Sequence, residues 1–197
     1  TLRNSSAASD VYKRQLKTDL KIDEYIHILK FDDDEFNKWD AVQNLYTTCF
    51  LKSSNLKFLI KTLEELLLED KINHALMALL LELPSRSTFE NLTLSVDPIL
   101  IFNKKIQYMK KIGLYLKDTL EIKALKLIKN KIHNDKSVGQ RALLEKFLKF
   151  LVIIESKIGI DIAKKIAISE NMTLSIIGLK SLCLTDNDLA LKYLNDF

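Results

Sequence analysis

The sequence predicts an all-α fold, an irregular α-solenoid or helical array of about nine helices paired as antiparallel hairpins. Three observations carry this. Only four Gly and two Pro occur in 197 residues, too few for an all-β chain that turns roughly every ten residues. Apolar residues recur at spacings of three and four along most of the chain, which is the period of one helix face. Capping residues stand just ahead of several of these segments. No strict repeat period is visible, so a regular repeat family is not expected.

The totals bound the rest. Hydrophobic residues make up 47% and charged residues 28%, a globular rather than a disordered composition. The longest apolar run, Ala75 to Leu81, falls far short of the roughly 20 residues that span a bilayer. The first residues are polar and show no signal peptide, so no membrane partner is expected. Cys49 and Cys183 sit within apolar stripes and read as buried free thiols of a reducing cytoplasm, with a disulfide left open. Net charge is +4 with 30 basic residues, but only Arg3, Arg14, Arg86 and Arg141 are arginines. Phosphate and base recognition lean on arginine forks, so no nucleic-acid partner is expected.

The first fifteen residues stand apart. Residues 1–15 contain no Ile and hold Arg3 and Arg14. The stretch Ser6 to Gln15 resembles translated sequencing-adapter read-through. It is set aside from fold reasoning as non-native, against the alternative of a natural frayed terminus. Residues 16–197 then read as one helical domain, incomplete at its C-terminal end.

Residues 24–31 form a short helix with Tyr25, Ile28 and Leu29 on one side. A helix from Asp32 to about Phe50 follows. Phe36, Trp39, Gln43, Tyr46 and Phe50 form its stripe, and Asp32 with Glu35 forms a capping box. Ser54 or Asn55 caps a helix through Leu68, and Lys71 to Leu83 gives another that stops at Pro84. Ser85 to Leu94 is a mixed connection. Asp97-Pro98 places Asp at a cap and Pro at the first helical position. Ile99, Phe102, Ile106, Met109, Gly113, Leu116 and Leu120 then line one face, in a helix extending to about Ile132. Ser137 and Gln140 form a second capping box, ahead of Leu144, Phe147, Leu151 and Ile154. Gly159 breaks that helix. Ile162 and Ile166 lead a short one to Glu170, Asn171 caps a stripe of Met172, Ile176, Leu179 and Cys183, and Asp186 or Asn187 opens the last.

Catalytic chemistry is absent from these residues. His27, His74 and His133 are far apart, and no zinc-spaced Cys or His pair, Gly-rich phosphate loop or nucleophile elbow occurs. The Asp32 to Glu35 run lacks the alternation and turn glycine of a calcium loop. Asn91-Leu92-Thr93 and Asn171-Met172-Thr173 match the glycosylation sequon but read as turn and cap residues. The lysine pairs at 104–105, 110–111 and 164–165 read as solvated faces. No catalytic, cofactor-binding or metal-binding residue is assigned.

Five stretches, in order, carry a resemblance. Asp34-Glu35-Phe36-Asn37-Lys38-Trp39-Asp40-Ala41-Val42-Gln43 resembles an N-D-x-F-x-R-W-[DE]-A-x-Q segment, and Leu83-Pro84-Ser85 a short L-P-S connection. Val96-Asp97-Pro98 resembles an [IV]-D-P helix start, and Arg141-Ala142-Leu143 an R-x-L. Asn171-Met172-Thr173 with Leu179 and Leu182 resembles N-M-T-x-x-x-x-A-L-x-x-L. Together the five resemble, in order, the C-terminal helical domain of the bacterial aminopeptidase N family, gluzincin zinc metallo-aminopeptidases. The resemblance covers about residues 20–197. Lys38 stands where Arg is usual, and Ile177-Gly178 where the family is Ala-rich.

The resemblance implies a great deal that the residues do not show. Family members place an N-terminal β domain, a thermolysin-like catalytic domain and a small β domain ahead of the helical one. Zinc is held in the catalytic domain by H-E-x-x-H and a later Glu, beside a G-A-M-E-N that holds the substrate's free amine. None of these motifs occurs here. The chain is therefore expected to be an inactive part of a cytoplasmic zinc aminopeptidase, capping the chamber that admits peptides. Its partners would be the catalytic domain of the same polypeptide and the parent's peptide substrates. The alternative is a stand-alone helical-repeat scaffold that binds a protein partner.

Overall fold

The computed structural model describes residues 20–51, 55–69, 72–91, 97–130, 132, 137–184 and 187–195. The set-aside residues 1–15 lie outside these, as do Ser54, Lys71, His133 and Asp186. Among the described residues there are ten helices and no strand. They are α1 (Ile22–Phe31), α2 (Glu35–Leu51), α3 (Leu56–Glu69), α4 (His74–Leu80) and α5 (Arg86–Glu90), then α6 (Pro98–Lys129), α7 (Val138–Ile153), α8 (Lys157–Ala167), α9 (Met172–Leu182) and α10 (Asn187–Asn195). Consecutive helices lie against each other as α1–α2, α6–α7 and α8–α9, and α4 packs on α7. One core runs from Tyr25 to Leu182, with a satellite of Phe50, Phe89 and Ile101 beside it. No described helix is long and apolar enough to cross a membrane.

Helix starts follow from local side-chain chemistry. Asp97 accepts from the backbone N–H groups of Ile99 (3.0 Å) and Leu100 (3.1 Å), with Pro98 at the first helical position. Asn171 accepts from Leu174 N–H at 3.1 Å. These two caps stand where the sequence placed them. The acidic box differs. Asp34 is the cap of α2, accepting from Phe36 N–H at 2.7 Å and Asn37 N–H at 3.3 Å. Asp32 instead accepts from Asp34 N–H at 2.7 Å, and Glu35 from the Asn73 amide at 2.6 Å. With several carboxylates in a row, the one immediately before the first turn wins the orphan amides. Ser137 makes no side-chain cap bond, so the second predicted box does not form.

Two helix ends also differ. The predicted Lys71–Leu83 helix is shorter, since Asn73 caps it by accepting from Leu76 N–H at 2.8 Å and α4 ends at Leu80. Gly159 is not a breaker. Helix α7 ends because Glu155 turns into the left-handed region (φ 58°), while Ser156 N–H bonds Leu151 O and Glu155 N–H bonds Val152 O, both at 2.9 Å. That pair is a Schellman end, at a position where glycine is favoured. Gly159 lies inside α8, where a Cβ would come within 2.5 Å of Leu151 Cβ.

Several predicted stripes are rotated. In α2 the buried face is Ala41, Val42, Leu45, Tyr46, Cys49 and Phe50, whereas Phe36 is 66% exposed and rests against Trp39 at 5.8 Å. In α6 the line holds from Met109 to Leu120, but Ile99 and Phe102 face outward and Ile101 is buried in their place. In α9 Leu174, Ile177, Gly178 and Leu182 are buried while Met172 and Ile176 are exposed. Each of these helices packs on more than one neighbour, so its buried face is wider than one three-four line. Cys183 is consequently exposed rather than buried; both cysteines are free.

Candidate functional site

Polar side chains converge on the segment Leu80 to Pro84, where α4 gives way to α5. Five side chains from three helices fasten it. From α2, Tyr46 Oη donates to Leu80 O at 3.0 Å and Gln43 Nε2 donates to Glu82 O at 3.0 Å. From α6, Lys105 Nζ donates to Pro84 O at 2.8 Å. From α7, Lys146 forms a short charge-assisted bond to one Glu82 carboxylate oxygen, and Lys149 lies 3.4 Å from the other. Carbonyls outside a helix need partners when covered by other elements, and this set supplies them.

The charges are unequal. Lys105 lies under the aromatic pair of Phe50 and Phe89, stacked at 4.0 Å, with its Nζ 5.9 Å from the Phe89 ring. Lys104 Nζ sits 4.4 Å over the Phe50 ring. Burial, and then the Lys149 charge, hold the Lys105 amine below its ordinary value, with Glu82 opposing. Burial works against ionisation of Glu82, but the bond from Lys146 and the charges of Lys149 and Lys146 outweigh it and hold the carboxyl below the usual range. Burial, with the Glu82 and Cys49 charges adding to it, raises the Tyr46 hydroxyl far above its ordinary value, so it remains a donor. Nearby, the Tyr108 hydroxyl donates to Cys49 O, and burial pushes the Cys49 thiol up to about 11.

Among the described residues no group of three or more His, Cys, Asp or Glu could hold a metal. His27 packs against Phe31 at 4.9 Å, and His74 borders a cleft of about 300 Å3 floored by Leu66, Leu127, Leu143 and Phe147. A second, mixed-charge groove of about 480 Å3 lies among Lys30, Glu35, Lys38, Glu65 and Asn73. Arg141 is buried and donates Nη1 to Ile132 O at 3.2 Å. Two of the sequence motifs meet in this junction and a third leads into it. Gln43 and Leu83-Pro84-Ser85 meet at the junction, and Asp97-Pro98 starts the helix that carries Lys105 into it. Reasoning from sequence missed Glu82, Lys146 and Lys149, and treated Lys104-Lys105 as a solvated pair. The available signal was Lys105 lying three residues before Tyr108, on the side of α6 that turns inward.

The profile of a family described as "Domain of unknown function (DUF3458_C) ARM repeats" matches residues 22–197, and the chain belongs to that family. No curated protein matches. Among solved structures, the chain shares its fold with the crystal structure of Legionella pneumophila aminopeptidase A in complex with aspartic acid. The TM-score is 0.74 and the identity 17%, over 92% of this chain and 23% of that one. The chain thus spans under a quarter of that protein's length, and at this identity the likeness is one of fold. Both findings agree with the resemblance to an aminopeptidase helical domain drawn from the motif order. They correct one expectation, because the family is described as ARM repeats. Helices from 5 to 32 residues long leave no fixed period for the eye to find.

Proposed function

We propose that this chain is the helical domain of a zinc-dependent, cytoplasmic aminopeptidase, where it walls the chamber that admits peptides. One observation supports the reading above the others: almost the whole chain superposes on a minor portion of an aminopeptidase, so the remaining chemistry would lie outside these residues. Bound zinc would polarise a scissile carbonyl and acidify its water. The described residues offer no ligand set for it. This chain's part is shape. Its helices present one continuous core inward and leave apolar side chains such as Leu114 and Ile122 of α6 exposed, available to pack on a catalytic domain of the same polypeptide.

The test is the genomic reading frame that contains this segment. The proposal requires H-E-x-x-H with a later Glu, and G-A-M-E-N, upstream in the same frame. A frame without them makes the chain a stand-alone scaffold for a protein partner and overturns the peptidase reading.

A further inference from the structure

We propose that the cleft among α3, α4, α6 and α7 is a binding site for a small amphipathic anion, a medium-chain alkyl carboxylate. The cleft holds about 300 Å3, against the roughly 150 Å3 in which an apolar cavity takes up one benzene ring. That room suits a chain of about eight carbons and lies at the lower end of small-molecule pockets, too small for a folded segment or a long peptide. Leu66, Leu67, Met77, Leu127, Leu143 and Phe147 floor it; each is at most 6% exposed, and all belong to the one continuous core. The floor is therefore built from four helices rather than from loose surface side chains. Apolar walls that meet water across a cleft gain when an alkyl chain displaces that water.

The rim sets the sign of the head group. Lys123 and Lys126, one turn apart on α6, line the cleft together with His74 of α4, and no Asp or Glu is among the described residues that line it. Both lysines already have a contact within the fold, but an ammonium carries three N–H donors and can take a carboxylate as well. Asn130, the C-cap of α6, and Gln140, in the first turn of α7, also border the cleft. Helix ends of opposite sign therefore meet there and their dipoles offset, which leaves the lysines to decide. Phe147 is fully buried, so it offers no open face on which a base could stack, and an alkyl chain is favoured over a nucleotide. The site does not rest on the peptidase reading.

The full chain is titrated calorimetrically with octanoate, octanamide and butanoate at constant ionic strength. A single octanoate should bind per chain, roughly tenfold more tightly than octanamide, the margin of a charged over a neutral hydrogen bond. Butanoate, four methylenes shorter, should bind roughly a hundredfold more weakly or worse. Lys123→Met and Lys126→Met should each weaken octanoate by roughly threefold while leaving octanamide unchanged, a split that general loss of structure would not produce. Lys129→Met, one turn further along α6 and outside the cleft lining, should change neither. Thermal melts of each variant separate lost binding from lost folding. Equal binding of octanoate and octanamide, no saturable binding of either, an equal loss in Lys129→Met, or displacement of octanoate by an equal concentration of inorganic phosphate would overturn the proposal.

Discussion

The Gln43 side-chain amide on α2 donates to the backbone carbonyl of Glu82, 3.0 Å away and 39 residues on in the chain. Gln43 ends the Trp39-containing motif, and Glu82 immediately precedes Leu83-Pro84-Ser85. Two stretches that stand out in the sequence are therefore two halves of one contact. It ties α2 to the connection between α4 and α5, at the residue whose carboxylate Lys146 and Lys149 of α7 reach.

Replacing Gln43 with leucine keeps the bulk and leaves the Glu82 carbonyl without this donor. The expected loss is about 1–3 kcal/mol, read as a lower urea midpoint with an unchanged slope. A midpoint equal to that of the unaltered chain would mean that water replaces the amide without cost.

Gly178 sits where α9 lies close against the backbone of α8. A Cβ there would lie 2.5 Å from Ala167 N and 2.6 Å from Ala163 O, both backbone atoms. Glycine to alanine inside a helix ordinarily stabilises by about 1 kcal/mol. Here Gly178→Ala should instead destabilise by about 2–3 kcal/mol through overpacking. Thermal melting decides the sign.

Glu155 makes the opposite case. It is exposed and holds the left-handed end of α7 at φ 58°, where a side chain costs about 1–2 kcal/mol. Glu155→Gly should raise stability by up to about 1 kcal/mol once the extra freedom of glycine in the unfolded chain is subtracted. A destabilised variant would show that the glutamate side chain has a role beyond this turn.

The junction also sets a pH dependence. The folded-state affinity of Glu82 for its proton is depressed, first against the pull of burial and then by Lys146 and Lys149. Its contribution to stability is therefore full above the ordinary glutamate value of about 4.3 and is lost as pH falls through the lower folded value. Denaturant titrations between pH 7 and pH 3 should show that loss. Glu82→Gln should flatten it and be less stable at pH 7.

Thiol chemistry separates the two cysteines. Cys183 is exposed, and Cys49 is buried with its thiol raised to about 11. At pH 8, Ellman's reagent should label one thiol of the native chain quickly and the second only after denaturation.

Much of the fold was legible because caps are local. Asp97-Pro98 and Asn171 start their helices where the sequence marked them. Helix faces were harder to place. The aromatic line through Phe36 and Trp39 looks like a core stripe, yet α2 buries the neighbouring line through Ala41, Leu45 and Cys49, because which side is inward depends on where α1 and α4 lie. The junction was not legible in the same way. Glu82 meets lysines 64 and 67 residues further on, and no local pattern announces such pairs.

The central claim is tested most directly by assaying the product of the complete reading frame against a short peptide with a free N-terminus. The account predicts stepwise release of N-terminal residues, loss of activity on chelation and its return with zinc, with no turnover from residues 16–197 alone. Cleavage only at internal bonds, no turnover by the complete product, or chelator-sensitive release by residues 16–197 would contradict it.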